Sequence, residues 1–65
     1  METKNHIKEL RTEKGLLQKE LADICGVSRQ TVNAIENNKY DPTLELAFKL
    51  AITLETTIDE LFIYE

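Results

Sequence analysis

Apolar residues recur along most of the chain at the three- and four-residue spacing of an α-helix. Leu21, Ala22 and Cys25 share one face of a short segment, and Val32 and Ile35 share one face of the next. The longest apolar stripe comprises Leu44, Ala47, Leu50, Ala51 and Leu54. Because residues at this spacing lie on one side of a helix, the pattern predicts short helices that each bury one face.

Residues that start and stop helices divide this pattern into five segments. The chain has two glycines and one proline, too few for the turns of a sheet. Gly15 and Gly26 stand where helices end with a positive φ, and Thr57 with Glu60 forms a T-x-x-E capping box. The predicted helices begin at Asn5, Gln18, Ser28, Thr43 and Thr57. We therefore predict one all-α domain of five short helices over residues 1–65.

Size and composition favour a binding protein. The 65 residues carry a net charge of −4, with 42% apolar and 31% charged side chains, which is typical of a globular chain. No apolar run approaches the roughly 18 residues that cross a bilayer. No secretory leader is evident, so we expect a cytoplasmic protein without membrane contact. A single cysteine forms no intrachain disulfide or multi-cysteine zinc site, and we expect no metal and no cofactor.

The most informative segment is residues 18–37, where only Gly26, Val27 and Ser28 separate two predicted helices. A link this short forces a sharp corner between them. Ala22 is small enough to let the helices cross closely, Val27 fills the corner, and Ser28 caps the second helix with its first turn exposed. No single one of these residues is specific, but the joint pattern is.

This pattern resembles the Cro/repressor-type (XRE) helix-turn-helix family of DNA-binding transcriptional regulators. The resemblance covers roughly residues 5–62. The matching stretches are Leu10-Arg11, Gly15-Leu16, Gln18 with Glu20-Leu21-Ala22, Gly26-Val27-Ser28, Ile35-Glu36-Asn37 with Lys39, and Pro42 onward into Leu50-Ala51. The resemblance implies a lambda-repressor-like fold of five helices, in which helices two and three form the helix-turn-helix and helix three, about residues 28–37, enters the major groove.

The resemblance also implies a set of DNA-binding residues. They are Gln18, Ser28, Arg29, Gln30, Thr31, Asn33, Asn37, Lys39 and Tyr40. Arg29 can form a bidentate contact with guanine, and Gln30 or Asn33 can do so with adenine. Gln18 and the residues after helix three match the family's phosphate contacts, although each exposed side chain can also be plain solvated surface. The family's internal ion pair matches Arg11 and Glu36, which we interpret as structural.

Three positions depart from the family pattern. Leu17 replaces the threonine or serine that usually caps helix two, a loss of about 1 kcal/mol in typical cases. Asn38 replaces a glycine after helix three, and asparagine tolerates the left-handed conformation better than most residues. Glu55-Thr56 replaces the usual Gly-Val after helix four, so we expect that corner to be looser.

The negative net charge is unevenly distributed. Residues 1–39 hold seven basic and six acidic side chains, and residues 40–65 hold one basic and six acidic side chains. The corresponding charges are +1 and −5, so we expect the acidic side chains to lie in helices four and five, away from helix three. Attraction to phosphates can then survive locally, but it should be weaker than for a basic domain.

These observations predict a transcriptional regulator that binds double-stranded DNA sequence-specifically. We expect it to be a repressor and to bind as a homodimer to an operator with two-fold symmetry. The rival hypotheses are a protein-interaction module with the same fold and an antitoxin-like chain that binds both DNA and a protein partner. An enzyme has little support, because the sequence shows no nucleophile–base pair and no phosphate-binding glycine loop.

Apolar side chains outside the predicted core are candidates for self-association. Leu46, Phe48 and Ile52 lie outside the main stripe of helix four. The candidate dimer interface comprises Phe48, Ile52, Phe62, Ile63 and Tyr64. The tail from Phe62 to Tyr64 has β-friendly side chains, so it can pair with its two-fold mate as a short strand.

Overall fold

The structure, a computed structural model, describes residues 2–65 as five helices and two short strands. The helices are α1 (Ile7–Glu13), α2 (Gln18–Cys25), α3 (Arg29–Glu36), α4 (Leu44–Thr53) and α5 (Ile58–Leu61), and the strands are β1 (Thr3–Asn5) and β2 (Phe62–Tyr64). The five predicted helices are confirmed. Within the described residues, no helix has the length and apolar character needed to cross a membrane.

Side-chain caps begin three of the helices where the sequence predicts them. The hydroxyls of Ser28, Thr43 and Thr57 each accept a hydrogen bond of 3.2 Å from the backbone N–H three residues later. These bonds satisfy N–H groups that have no partner inside the helix. Gly15 and Gly26, with φ of 72° and 74°, follow the ends of α1 and α2.

The three departures from the family pattern are accommodated locally. Leu17 has no side-chain acceptor, but its own N–H donates to the Glu20 carboxylate at 2.8 Å, which supplies half of a capping box. Asn38 adopts a φ of 59°. The corner at Glu55 is not loose, because Thr56 N–H donates to the Ala51 carbonyl at 2.9 Å and closes the end of α4. Glu55 itself takes the left-handed conformation, with a φ of 57°.

An apolar cluster lies between the helices. Its buried members are Ile7, Leu21, Ala22, Cys25, Val32, Ile35, Leu46, Leu50, Ala51, Leu54 and Leu61. The prediction for α4 was wrong at two positions, since Leu44 is 69% exposed and Leu46 is buried. Residues of a helix are rotated by about 100° each, so Leu44 points roughly 200° away from Leu46, which shares its face with Leu50 and Leu54.

Cys25 belongs to this interior and faces α4. Its sulfur lies 3.9 Å from the Thr53 hydroxyl. Burial raises the pKa of the Cys25 thiol, so the reactive thiolate is disfavoured at neutral pH. The residue is best described as a small apolar side chain of the core.

The chain termini form a two-stranded antiparallel sheet, which the sequence analysis did not predict. Thr3 pairs with Tyr64, Lys4 with Ile63, and Asn5 with Phe62. One edge of the tail strand is therefore occupied by residues of the same chain, and not by a two-fold mate. Because Asn5 belongs to this sheet, α1 begins two residues later than predicted.

The Glu36 carboxylate joins α3 to α2 and α1. Arg11 donates to it through Nε at 2.7 Å and through Nη2 at 3.3 Å, and Gln18 donates through Nε2 at 3.0 Å. The remaining guanidinium nitrogen, Nη1, donates to the Leu16 carbonyl at 2.8 Å. The Arg11 and Glu36 side chains are only 12% and 3% exposed, so these bonds replace most of the water that the two charges lose.

We expect Glu36→Ala to lower the free energy of unfolding by about 3–5 kcal/mol, because the Arg11 charge would stay buried without its partner. For so small a domain that is most of the stability, so the variant should be largely unfolded at about 37 °C. Circular-dichroism melting measures this. Glu9→Ala is the control, since it removes an exposed carboxylate 2.9 Å from His6 and should cost little. A Glu36→Ala melt that matches the unmodified protein would contradict the prediction.

Candidate nucleic-acid interface

The amphipathic pattern of α3 presents one polar face to solvent. Val32 and Ile35 pack into the core, whereas Arg29, Gln30 and Asn33 are exposed. Ser28 caps the helix, and its hydroxyl lies 3.0 Å from that of Thr31. These contacts hold the first turn of α3 in place, and its exposed side chains project into solvent.

Arg29 and Gln30 are the two exposed side chains of this turn that the fold does not use. Within residues 2–65, neither takes part in a side-chain hydrogen bond, and Arg29 forms no ion pair. A guanidinium and a carboxamide with unused donors are the groups that form bidentate contacts with base edges. The structure thus brings together the two residues that the sequence singled out most strongly.

The amides of Asn33 and Asn37 are bonded to each other along α3. Asn37 Nδ2 donates to the Asn33 carbonyl at 2.8 Å and to Asn33 Oδ1 at 3.3 Å. Asn33 keeps its own Nδ2 donor for a ligand. Asn37 would have to exchange an intrahelical partner before its side chain could bind a phosphate.

Gln18 starts α2 with its side chain tied to the interior. It is half-buried, and its Nε2 donates to Glu36, which also binds Arg11. The sequence predicted the Arg11–Glu36 pair but missed Gln18 as its third member. The sequence marks Gln18 only through its match to the family's phosphate contact. That match gives no information about a hydrogen bond from Gln18 to the interior.

The turn after α3 places Lys39 and Tyr40 in solvent. Asn38 N–H donates to the Ile35 carbonyl at 3.0 Å and Lys39 N–H to the Ala34 carbonyl at 2.9 Å, so the backbone of the turn folds onto the helix end. Tyr40 is 48% exposed. Within residues 2–65, neither side chain forms a hydrogen bond.

Ion pairs use up much of the basic charge of the N-terminal half. Besides the buried arginine, three lysines bind carboxylates: the distances are 3.2 Å for Lys4–Glu65, 2.8 Å for Lys14–Glu55 and 3.2 Å for Lys19–Asp23. The Lys14 ammonium lowers the pKa of the Glu55 carboxyl. Among the described residues, Arg29 and Lys39 form no such pair, so they supply unneutralised positive charge at and beside α3.

The sequence predicted that the acidic half of the chain lies away from α3. In the structure, part of that half lies close to this helix. Glu45, in the first turn of α4, lines the same surface depression as Thr31 and Tyr40. The expectation was wrong there because α4 packs against α2, which brings its first turn next to the corner between α2 and α3. Lys49 lines the same depression and offsets part of this negative charge.

Comparison with known proteins places this geometry in a family. The helix-turn-helix family HTH_3 matches residues 7–61, a range that contains all five helices. An HTH-type transcriptional regulator of Methanocaldococcus jannaschii is 52% identical over 62 residues, which cover 95% of this chain and 94% of the relative.

Solved structures show the same arrangement of helices. The restriction-modification controller protein C.AhdI of Aeromonas hydrophila aligns with a TM-score of 0.76 at 37% identity, over 83% of this chain and 82% of that chain. SinR of Bacillus subtilis, a master regulator for biofilm formation solved in complex with DNA, aligns with a TM-score of 0.73 at 32% identity, over 80% and 84% of the two chains. The predicted lambda-repressor-like fold is thereby confirmed.

The cap of α3 can be tested by itself. We expect Ser28→Ala to lower the free energy of unfolding by about 1 kcal/mol, because the Thr31 N–H loses its acceptor. Ser28→Asp, which keeps an acceptor at the N-cap, should melt close to the unmodified protein. A Ser28→Ala melt that matches that of the unmodified protein would show that the Ser28 hydroxyl does not stabilise the helix.

Proposed function

The chain belongs to the helix-turn-helix family of Cro/C1-type transcriptional regulators, and on that basis we propose that it is a repressor that binds a two-fold-related operator as a homodimer. Members of this family bind double-stranded DNA and regulate transcription. The observation that carries the proposal is the capped first turn of α3, whose Arg29 and Gln30 are exposed and unused by the fold. Repression requires only that the bound protein occupy its site on DNA, so it needs no surface for contacting the transcription machinery.

Base recognition in this proposal falls to the exposed face of α3. Arg29 contacts guanine through two guanidinium donors, and Gln30 or Asn33 contacts adenine through its carboxamide. Thr31 is half-buried and lies at the edge of this face. Ser28 is held by its capping bond, so its contribution is to fix the position of the first turn.

Phosphate contacts in this proposal flank the helix on both sides. Gln18 lies at the start of α2, while Asn37, Lys39 and Tyr40 follow α3. Contacts of this kind fix the register of a protein on the duplex without carrying sequence information. Because Gln18 is bound to the buried Glu36, the same interaction holds a phosphate contact and the end of α3 in fixed relation.

A single recognition helix contacts only a few base pairs, which favours a dimer. Two copies related by a two-fold axis can place their helices about 34 Å apart, one turn of DNA. A domain of 65 residues also buries too little surface to be very stable alone, and an interface adds burial.

An apolar surface suited to a second copy follows α4. Leu44, Phe48 and Ile52 are spaced by four residues and are 69%, 52% and 74% exposed, so they form one stripe along the outer face. Leu44 continues this stripe into a groove that Pro42, Ala47, Ile58 and Phe62 also line. The groove is the part of the surface that the sequence did not indicate, since Leu44 was assigned to the core.

The tail completes the proposed dimer surface in a different way from that expected. Phe62 packs partly against the core, Ile63 is half-buried and Tyr64 is 69% exposed. Pairing with β1 holds these residues beside the groove. An exposed apolar stripe next to an apolar groove is a surface that a second copy of the chain can cover.

Substitution of the base-contacting residues tests the recognition assignment. We expect Arg29→Ala and Gln30→Ala each to lower specific DNA affinity by about 1–3 kcal/mol, because each removes a bidentate contact. Lys39→Ala is the matched control, since losing a phosphate contact should weaken all sequences alike and flatten the salt dependence. Gel-shift titrations on a site obtained by in-vitro selection measure both effects. Full affinity and unchanged sequence preference in both Arg29→Ala and Gln30→Ala would contradict the assignment.

Sedimentation tests the dimer. We expect a homodimer with a micromolar dissociation constant, which Phe48→Asp disrupts because it places a charge in the apolar stripe. Ile24→Asp is the matched control, since Ile24 is a 59% exposed isoleucine on α2, outside the proposed surface. Analytical ultracentrifugation at about 100 µM, roughly two decades above such a constant, distinguishes the species.

A clean 7.5 kDa species for the unmodified chain would contradict the dimer and favour the rival interpretation, in which the same surface binds a different protein. Deletion of the tail is a poorer test than Phe48→Asp, because it also removes the strand that pairs with β1.

A further inference from the structure

One side chain connects the terminal sheet to the end of the recognition helix α3. Asn5, in β1, donates through Nδ2 to the Ile35 carbonyl at 2.8 Å and to Asn38 Oδ1 at 3.3 Å. Its Oδ1 accepts from the Ile7 N–H at 3.1 Å. The three contacts join β1, the first residue of α1 and the last turn of α3 at one half-buried carboxamide.

The orientation of this carboxamide is fixed by its partners. The Ile7 N–H can only donate, so it requires the Asn5 oxygen, and the Ile35 carbonyl can only accept, so it requires the Asn5 nitrogen. The four carbonyls at the end of a helix have no partners within the helix. Asn5 therefore supplies a donor to a carbonyl that also receives the Asn38 N–H at 3.0 Å.

Asn5 is itself held from the other side. Its backbone pairs with Phe62 across the sheet, and the next residue, His6, donates its N–H to the Leu61 carbonyl at 2.9 Å. The sheet thus fixes the Asn5 backbone, and the Asn5 side chain fixes the turn that follows α3. This turn carries Lys39, which is a phosphate contact in the proposed function.

We propose that Asn5 is a positioning residue for DNA binding. By holding the Ile35 carbonyl and the Asn38 side chain, it keeps the turn from Asn37 to Tyr40 at the place where Lys39 meets the phosphate backbone. The inference rests on the proposed function, because it assigns Asn5 an effect on DNA affinity that passes through Lys39. The residue touches no base or phosphate itself.

Asn5→Ser separates this role from the start of α1. The serine hydroxyl can still accept from the Ile7 N–H, as in the turns that serine commonly forms, but it is too short to reach the Ile35 carbonyl. The substitution leaves the net charge unchanged, so it does not alter attraction to DNA directly. Asn38→Gly permits the positive φ of the turn and removes only the longer of the two bonds that Asn5 Nδ2 donates, the one to Asn38 Oδ1, so it tests the Asn5–Ile35 bond separately.

Hydrogen exchange of the free protein tests the mechanical link. We expect the Asn38 and Lys39 amides of Asn5→Ser to exchange about ten-fold faster, since a bond of roughly 1.4 kcal/mol no longer holds the turn. The Leu10 amide, which donates to the His6 carbonyl in the first turn of α1, should exchange as before. Unchanged exchange at Asn38 and Lys39 would overturn the proposal.

DNA titrations test the effect on binding, at a temperature where circular dichroism shows both proteins fully folded. We expect Asn5→Ser to bind DNA about ten-fold more weakly than the unmodified protein. The slope of log affinity against log salt concentration should fall by about one, as it does for Lys39→Ala. The affinity of the variant with both substitutions should lie within about two-fold of the affinity of Lys39→Ala alone. A general loss of stability would not change the salt dependence in this way.

The outcomes separate the two proposals. An unmodified chain that binds DNA, together with losses from Asn5→Ser and Lys39→Ala that multiply in the double variant, would overturn the positioning role alone. An unmodified chain that binds no DNA in a selection experiment would overturn the proposed function, and the positioning role with it.

Discussion

The buried Glu36 carboxylate is the constraint on which the rest of the structure depends. It receives hydrogen bonds from Arg11 of α1 and from Gln18 of α2 while it belongs to the last turn of α3. A carboxylate with 3% exposure is stable only with such partners, so the three helices cannot move apart without exposing or stranding a charge. This interaction and apolar packing together therefore hold α3 against α2.

The two ends of α3 are held by different means. A serine hydroxyl begins it, through a local bond three residues long. Its far end is held by distant parts of the chain, Glu36 by α1 and α2 and the Ile35 carbonyl by Asn5 of the sheet. None of these bonds uses Arg29 or Gln30, whose side chains form no hydrogen bond within residues 2–65.

The charge distribution adds a second constraint, since an acidic chain has little positive charge to spare. Lys4 and Lys14 bind carboxylates of the C-terminal half, so they serve the fold. Glu55 takes part in one of these pairs while in a left-handed conformation that usually favours glycine. Among the described residues, Arg29 and Lys39 form no such pair, and in the proposed function they attract phosphates locally.

The sequence by itself determined the helices, their caps and the corner between α2 and α3. These features depend on residues three or four positions apart, on hydroxyl caps such as Ser28 and on the positive φ of Gly26, all of which act locally. Only the tertiary structure decided the pairing of the termini, the bond from Gln18 to Glu36, the link from Asn5 to α3 and the outward direction of Leu44. Three-residue strands have no readable periodicity, and a hydrogen bond between residues 30 positions apart has no local signature. Such contacts exist only because packing of the core brings distant segments together.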